Sequence, residues 1–165
     1  MKMKPFSTKL ALIALSAILI LSIGCSKDDT QPTASELLSK SWIQTDLLAT
    51  VNGITESVFD DEYELCDQDN SYNFKSDGTF TVTENTTKCD PLGPDQVSSG
   101  TWTLLENGKK ITIDPIDEDP QTLDIDELTN TSMKVSVTDN SIGVPIKVTL
   151  VYRAKYAEIL KMKAV

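Results

Sequence analysis

Apolar and polar residues alternate along the chain from residue 71 onward. Every second position is apolar in a series of short runs, and the longest run contains Ile146, Val148, Leu150, Tyr152 and Ala154. A period of two with one polar face is typical of half-buried antiparallel strands. Two less regular runs, 42–51 and 56–65, precede them and are also interpreted as strands. The pattern predicts an all-β domain of eight or nine strands.

Turn-forming residues between these runs restrict the topology. The dipeptides Asp77-Gly78 and Asn107-Gly108 favour two-residue hairpins. Every connection after Gly100 is short, and short connections favour an up-and-down meander, because a Greek-key sandwich needs a long return. We therefore predict a small antiparallel meander barrel over residues 35–156, rather than an immunoglobulin-like sandwich.

Short segments flank the predicted barrel on both sides. Residues 34–39 have the composition of one or two helical turns, with Ser35 as a plausible N-cap. Residues 157–165 are interpreted as a C-terminal tail. The domain therefore begins with a short helix and is otherwise made of strands.

The N-terminus has the layout of a secretory signal, in which a basic stretch precedes an apolar run, here residues 10–23. A helix over this run would rise about 21 Å, against a hydrocarbon core of about 30 Å. The run is too short to span a bilayer comfortably. We predict that residues 1–24 are a signal peptide that is removed.

The apolar run ends in Leu21-Ser22-Ile23-Gly24-Cys25, which resembles the lipobox of bacterial lipoproteins. The resemblance implies that Cys25 becomes the lipidated first residue of the mature chain, and two or more acyl chains hold a protein durably at a membrane. The alternative is that Cys25 merely follows an ordinary cleavable signal. The cysteine count favours lipidation, because without Cys25 an even pair remains, Cys66 and Cys89.

Residues 25–34 are interpreted as a polar tether, in which Lys27, Asp28 and Asp29 follow the lipidated cysteine. This acidic stretch is similar to the surface-export signal of Bacteroidota lipoproteins. It implies a lipid-anchored protein of the outer membrane that faces the cell surface. A charged spacer that only keeps the tether solvated would have the same composition. The choice between periplasm and cell surface stays open at this point.

Acidic residues dominate the mature chain. The predicted signal contains three of the 15 basic residues, so 12 basic residues face 25 acidic ones and the net charge is −13. This charge disfavours nucleic acid and anionic lipid surfaces, which leaves the lipid anchor as the expected membrane contact. Acidic clusters at 67–71 and 114–119 suggest calcium, but the first lacks the glycine and glutamate of a calcium loop. We interpret both as solvated loops and predict neither metal nor cofactor.

Histidine is absent from the sequence, which excludes the common catalytic triads and the commonest general base. No pair of acids stands out by its spacing, and we expect no enzymatic activity. Cys66 and Cys89 straddle a predicted hairpin. In an exported protein, such a pair is expected to form a disulfide rather than a redox or metal site.

Several motifs together resemble the lipocalin-like domain of Bacteroidota lipoproteins. They are Leu38-Ser39-Lys40-Ser41-Trp42, the stretch from Cys66 to Phe80, Lys88-Cys89-Asp90, Ser99-Gly100-Thr101-Trp102 and Val148-Thr149-Leu150-Val151-Tyr152. The resemblance covers about residues 35–156. It implies an eight-stranded barrel without a settled ligand.

An eight-stranded barrel is just wide enough to be filled by side chains or to hold one small ligand. The aromatic residues predicted to line or fill it are Tyr72, Phe74, Phe80, Trp102 and Tyr152. One hypothesis is a module that binds a small apolar molecule. The other is a solid barrel whose loops, notably 86–98, meet an unidentified protein partner at the cell envelope. A cavity of about 300 Å³ or more that opens between loops would favour the first.

Overall fold

The computed structural model describes residues 31–141 and 143–155, and those from Pro32 onward belong to one compact unit. The predicted signal peptide, Cys25, the stretch Lys27-Asp28-Asp29 and the tail 157–165 lie outside the described residues. The elements in chain order are α1 (Ala34–Leu38), β1 (Ser41–Val51), β2 (Ile54–Ser57), α2 (Phe59–Glu62), β3 (Ser71–Phe74), β4 (Thr79–Thr83), β5 (Gln96–Leu105), β6 (Lys110–Pro115), β7 (Gln121–Leu128), β8 (Ser132–Asp139) and β9 (Ile146–Ala154). Neither described helix is long and apolar enough to cross a membrane.

Eight of the strands form a closed antiparallel barrel. From β3 to β9 each strand pairs with the next along the chain, and β9 returns to pair with β1 between Trp42 and Val51. β3 pairs with the first half of β1, and β2 is an extra strand beside its second half. The predicted all-β meander barrel with a short N-terminal helix is confirmed.

A β-bulge in β1 keeps the inward face of this long strand apolar. The register with β9 shifts between Gln44 and Asp46, which leaves Thr45 without an opposite partner. Trp42 and Gln44 are buried before the shift and Leu47 after it. An extra residue in one strand reverses the side-chain alternation and bends the strand. The bulge therefore lets β1 follow the curve of the barrel without turning Leu47 outward.

Helix α1 closes one end of the barrel. Leu38 is fully buried, and Nε1 of Trp42 donates a hydrogen bond to the Leu38 carbonyl at 3.0 Å. The turn between β5 and β6 packs against the helix so closely that a Cβ at Gly108 would lie 2.6 Å from Cβ of Ala34. Gly108 also has a φ of +82°, a conformation that favours glycine. We call this the closed end and the opposite end the mouth.

Aromatic and aliphatic side chains pack above this helix as the core of the domain. Nε1 of Trp102 donates to the carbonyls of Lys75 and Thr79, which ties the core to the hairpin between β3 and β4. The buried cluster comprises Leu38, Trp42, Phe74, Phe80, Val82, Trp102, Ile111, Met133, Val135, Tyr152 and Ala154. The core therefore fills the half of the barrel near the closed end.

The hairpin turns lie where the sequence predicts them but are longer than two residues. Leu105 pairs with Lys110, so residues 106–109 form the turn, and Glu106 and Asn107 both adopt positive φ. In the other hairpin, Phe74 pairs with Phe80. The turns are longer than two residues because the pairing between the two strands of each hairpin ends before it reaches the Asp-Gly or Asn-Gly dipeptide.

The predicted N-cap is wrong by two residues. Thr33, not Ser35, caps α1: its Oγ1 accepts a hydrogen bond from the Glu36 N–H at 3.2 Å. The Glu36 carboxylate in turn accepts from the Thr33 N–H at 2.7 Å. This reciprocal capping box satisfies two backbone donors, whereas a cap at Ser35 would leave Thr33 and Glu36 unpaired.

The predicted strand over 56–65 is also wrong beyond Ser57. The Asp46 carboxylate accepts hydrogen bonds from the Leu47 N–H and the Ser57 hydroxyl where β2 ends. Residues 59–62 then form a helical turn with no buried side chain, and the rings of Phe59 and Tyr63 pack 5.2 Å apart. Without an apolar face to bury, this segment gains nothing from strand pairing.

Candidate functional site

A cavity of about 390 Å³ lies between the aromatic core and the mouth of the barrel. Its wall is apolar and includes Phe74, Phe80, Val82, Ile113, Leu123 and Leu150. The volume lies within the range of small-molecule sites, about 300–1,000 Å³. A larger but shallow depression lies along residues 60–68, and four of its nine lining residues are acidic. The interior cavity is the better candidate because its wall can surround an apolar molecule.

Four of the five aromatic residues predicted as ligand contacts line this cavity, and they are Tyr72, Phe74, Phe80 and Tyr152. Trp102 does not line it. Its indole is buried beside Phe74, with the ring centroids 6.2 Å apart. Trp102 packs in the core because both its ring and its N–H find partners there. Contact of the other four with a ligand stays a prediction.

Two tyrosines, Tyr72 and Tyr152, place hydroxyl groups beside the apolar wall. The Tyr72 hydroxyl donates to Oε1 of the buried Gln44 at 3.3 Å, whereas no described residue is a hydrogen-bond partner of the Tyr152 hydroxyl. The two rings meet edge to face at 5.2 Å. Burial raises the pKa of both hydroxyls well above the ordinary tyrosine value, so both stay neutral at physiological pH. The two tyrosines therefore offer dipoles but no charge.

Two loops, 58–70 and 84–95, form one side of the mouth and are joined by a disulfide between Cys66 and Cys89. The Cα atoms of Cys66 and Cys89 lie 5.1 Å apart. The disulfide predicted from the sequence is therefore present. Oδ2 of Asp69 accepts from the N–H groups of Thr86 and Thr87 at 2.9 and 3.2 Å. The covalent bond and the hydrogen bonds hold the two loops together where β3 and β4 no longer form the wall.

Three potential metal ligands meet at this bridge in the described part of the chain. They are Glu64, Cys66 and Cys89. Both sulfurs belong to the disulfide and so offer no thiolate. The carboxylate of Asp67 accepts from Asn70 at 3.2 Å within its own loop. Asp67 therefore stabilises its loop through a local hydrogen bond.

The loop between β6 and β7 forms another part of the mouth, and here the sequence interpretation missed its role. Glu118 and Asp119 border the cavity, as does Tyr63 from the opposite loop. The sequence suggested only a solvated acidic turn. The order of the strands could have predicted the position of this loop, because every second connection of a meander lies at the same end of the barrel.

The sequence from residue 38 to 135 matches the lipocalin-like domain family, over more than half of the chain. The chain belongs to the lipocalin-like domain family. The matched range of this lipocalin-like domain includes the disulfide, most of the cavity wall and all three of the mouth loops described above. The family resemblance inferred from the motifs is confirmed.

Solved structures similar to this lipocalin-like domain come from bacteria and from animals. A lipocalin-like protein from Bacteroides uniformis ATCC 8492 is 16% identical, with coverage of 72% of this chain and 98% of that one and a TM-score of 0.46. Lobster apocrustacyanin A1 is 15% identical, covering 78% and 68% of the two chains, at 0.42. Apocrustacyanin C2 is 14% identical with the same coverage and TM-score. No functionally curated protein sequence matches the domain.

Proposed function

We propose that this lipocalin-like domain binds a small apolar molecule inside its barrel, without catalysis, while acyl chains on Cys25 hold it at the outer membrane. The cavity of about 390 Å³ carries the first part of the proposal. Protein interiors are normally close-packed, so a barrel that served only as a scaffold would have a filled interior. The open space favours ligand binding over the alternative of a solid barrel that meets a protein partner.

The wall of the cavity is suited to binding because its side chains are already held in position without a ligand. Leu123 and Leu150 lie on strands that are paired on both sides, and Tyr72 is fixed by its contacts with Gln44 and Tyr152. When the side chains of an apolar site are already ordered, ligand binding loses little free energy in ordering them. Each square ångström of ligand surface removed from water then contributes about 25 cal/mol.

Displacement of a neutral fluorescent dye, N-phenyl-1-naphthylamine, tests the binding site. We expect decanol to displace the dye from the wild-type protein. Replacing Leu123 by Trp narrows the cavity and should weaken dye binding by about tenfold or more, because a bulkier side chain occupies the ligand's space. Circular dichroism checks that the variant is folded.

The matched control is Leu105→Trp, which adds the same side chain to an exposed position at the closed end. It should bind the dye as the wild type does. Equal loss of dye binding in both variants, or none in either, would place the dye outside the cavity.

The anchor proposal is supported by the lipobox resemblance and by the position of α1. This helix follows the predicted tether and lies at the closed end of the barrel. A tether that joins the barrel there leaves the mouth free for a ligand. The export stretch Lys27, Asp28 and Asp29 supports an outer-membrane destination.

Metabolic labelling with palmitate tests the anchor. The wild-type protein should incorporate label and fractionate with the outer membrane, because acyl chains on Cys25 would carry the label and anchor the protein. The Cys25→Ala variant should incorporate none and leave the membrane fraction. Label in the variant, or a wild-type protein without label, would contradict the proposal.

A further inference from the structure

We propose that the cavity takes a cationic amphiphile, with an apolar body inside the barrel and a protonated amine or quaternary ammonium head at the mouth. This inference rests on the proposed ligand-binding function and adds the chemical class of the ligand. The head would lie among Tyr63, Glu118 and Asp119, which border the opening.

The charges that border the cavity have one sign. Glu118 and Asp119 are the charged residues in its lining, and no lysine or arginine contributes to it. Both side chains are exposed, and neither takes part in an ion pair within the described part of the chain. Two uncompensated carboxylates beside an apolar cavity attract a cation that can reach them.

The loops around the mouth are also rich in negatively charged residues. Loops 58–70, 84–95 and 116–120 contain six, three and three acidic residues. Their own sequences contain one basic residue, Lys88, which is paired with Asp95, while Lys155 approaches from the end of β9 and donates to Oδ1 of Asn85 at 2.8 Å. Acidic residues still outnumber these cations around the mouth. Charges of one sign around a cleft focus the potential and raise the local concentration of oppositely charged ligands. The same potential repels anionic amphiphiles such as fatty acids. It therefore favours cationic ligands both by attracting them and by excluding anionic ones.

Aromatic groups provide a second and independent feature. Tyrosine rings attract cations through their π-faces, and Tyr63 lies at the mouth itself. Deeper in the cavity, Tyr152 is 7% exposed, and its hydroxyl has no hydrogen-bond partner among the described residues. This hydroxyl is not one of the buried unpaired polar atoms, so it keeps accessible surface, and Tyr152 lines the cavity. It is therefore available for a hydrogen bond with a polar group on the ligand body.

General solubility would not explain the position of these acids. Glu56 on β2 and Asp114 on β6 are exposed and serve solubility on the outer wall. Asp114 points outward because its neighbours Ile113 and Pro115 line the cavity. These two residues give a matched control, since they carry the same charge but are exposed and do not line the cavity.

The test compares decyltrimethylammonium, decanol and decyl sulfate as competitors of the neutral dye, in the full-length protein below micelle concentrations. In the wild type, the ammonium probe should bind about fivefold more tightly than decanol, and decyl sulfate should bind least. The double variant Glu118→Gln/Asp119→Asn should remove this preference and leave decanol unchanged. Raising NaCl from about 0.02 to about 0.3 M should reduce the preference in every protein that retains Glu118 and Asp119.

The control variant Glu56→Gln/Asp114→Asn should keep most of the preference, because it removes the same net charge from the outer wall. If no probe displaces the dye, the proposed ligand-binding function itself fails. If decanol binds but the ammonium probe has no advantage, or if the control variant loses the advantage equally, only the inference about the cationic head fails.

Discussion

Replacing Trp42 by Ala is expected to lower the free energy of unfolding by about 3–5 kcal/mol, the usual cost of truncating a buried aromatic side chain. Trp42 has no exposed surface, and its indole links β1 to helix α1 through the Leu38 carbonyl. Its removal leaves a void at the closed end and takes away one of the two hydrogen bonds that the Leu38 carbonyl accepts, the other coming from the Lys40 N–H at 2.7 Å. Urea unfolding followed by circular dichroism measures the loss.

Two variants separate the contributions of ring and hydrogen bond. Trp42→Phe keeps an aromatic ring but loses the indole N–H, so it should cost less than Trp42→Ala. Leu105→Ala, at an exposed site near the same end, should change stability by less than about 0.5 kcal/mol. A loss below about 1 kcal/mol for Trp42→Ala would show that α1 does not close the barrel.

Removing the disulfide should be the second large effect. The free energy of unfolding of the double variant Cys66→Ser/Cys89→Ser is expected to be about 3 kcal/mol lower than that of the wild type. The reason is that the bond closes a loop between residues 23 apart in sequence. The released loops also form one side of the mouth. Ligand dissociation should therefore become faster in the variant, as measured by stopped-flow dye displacement.

Reduction of the wild-type protein provides an independent measurement. Dithiothreitol should lower the urea midpoint of the wild type and leave that of the double variant unchanged. Alkylation without reductant should detect no reactive Cys66 or Cys89. A wild-type midpoint that does not respond to complete reduction would contradict a stabilising bridge.

Much of the fold could be predicted from the sequence because alternation is a strong local signal. The run ending at Ala154 has an apolar residue at every second position from Ile146, and it forms β9, in which Tyr152 and Ala154 are buried. The signal fails where local hydrogen bonds decide the structure. At Thr33 the capping box with Glu36 fixes the helix start, and after Ser57 the side chain of Asp46 ends the ladder.

The site was predictable only in part, because alternation identifies the inner face but not the depth of a residue. Tyr72 and Trp102 both face inward, yet Tyr72 lines the cavity while Trp102 lies deeper, against the hairpin between β3 and β4. Glu118 and Asp119 belong to a loop, where the sequence has no periodicity to place them. Their role follows from the closure of the barrel, which brings the loops after alternate strands to one end.

Titration of isotope-labelled protein with decanol, followed by NMR, tests most directly whether the barrel interior binds an apolar ligand. We predict saturable one-to-one shifts of methyl signals from Val82, Ile113, Leu123 and Leu150, which line the cavity. Leu38, at the closed end, should shift little. Absence of saturable shifts, or shifts confined to exposed apolar side chains such as Leu92, would contradict the account.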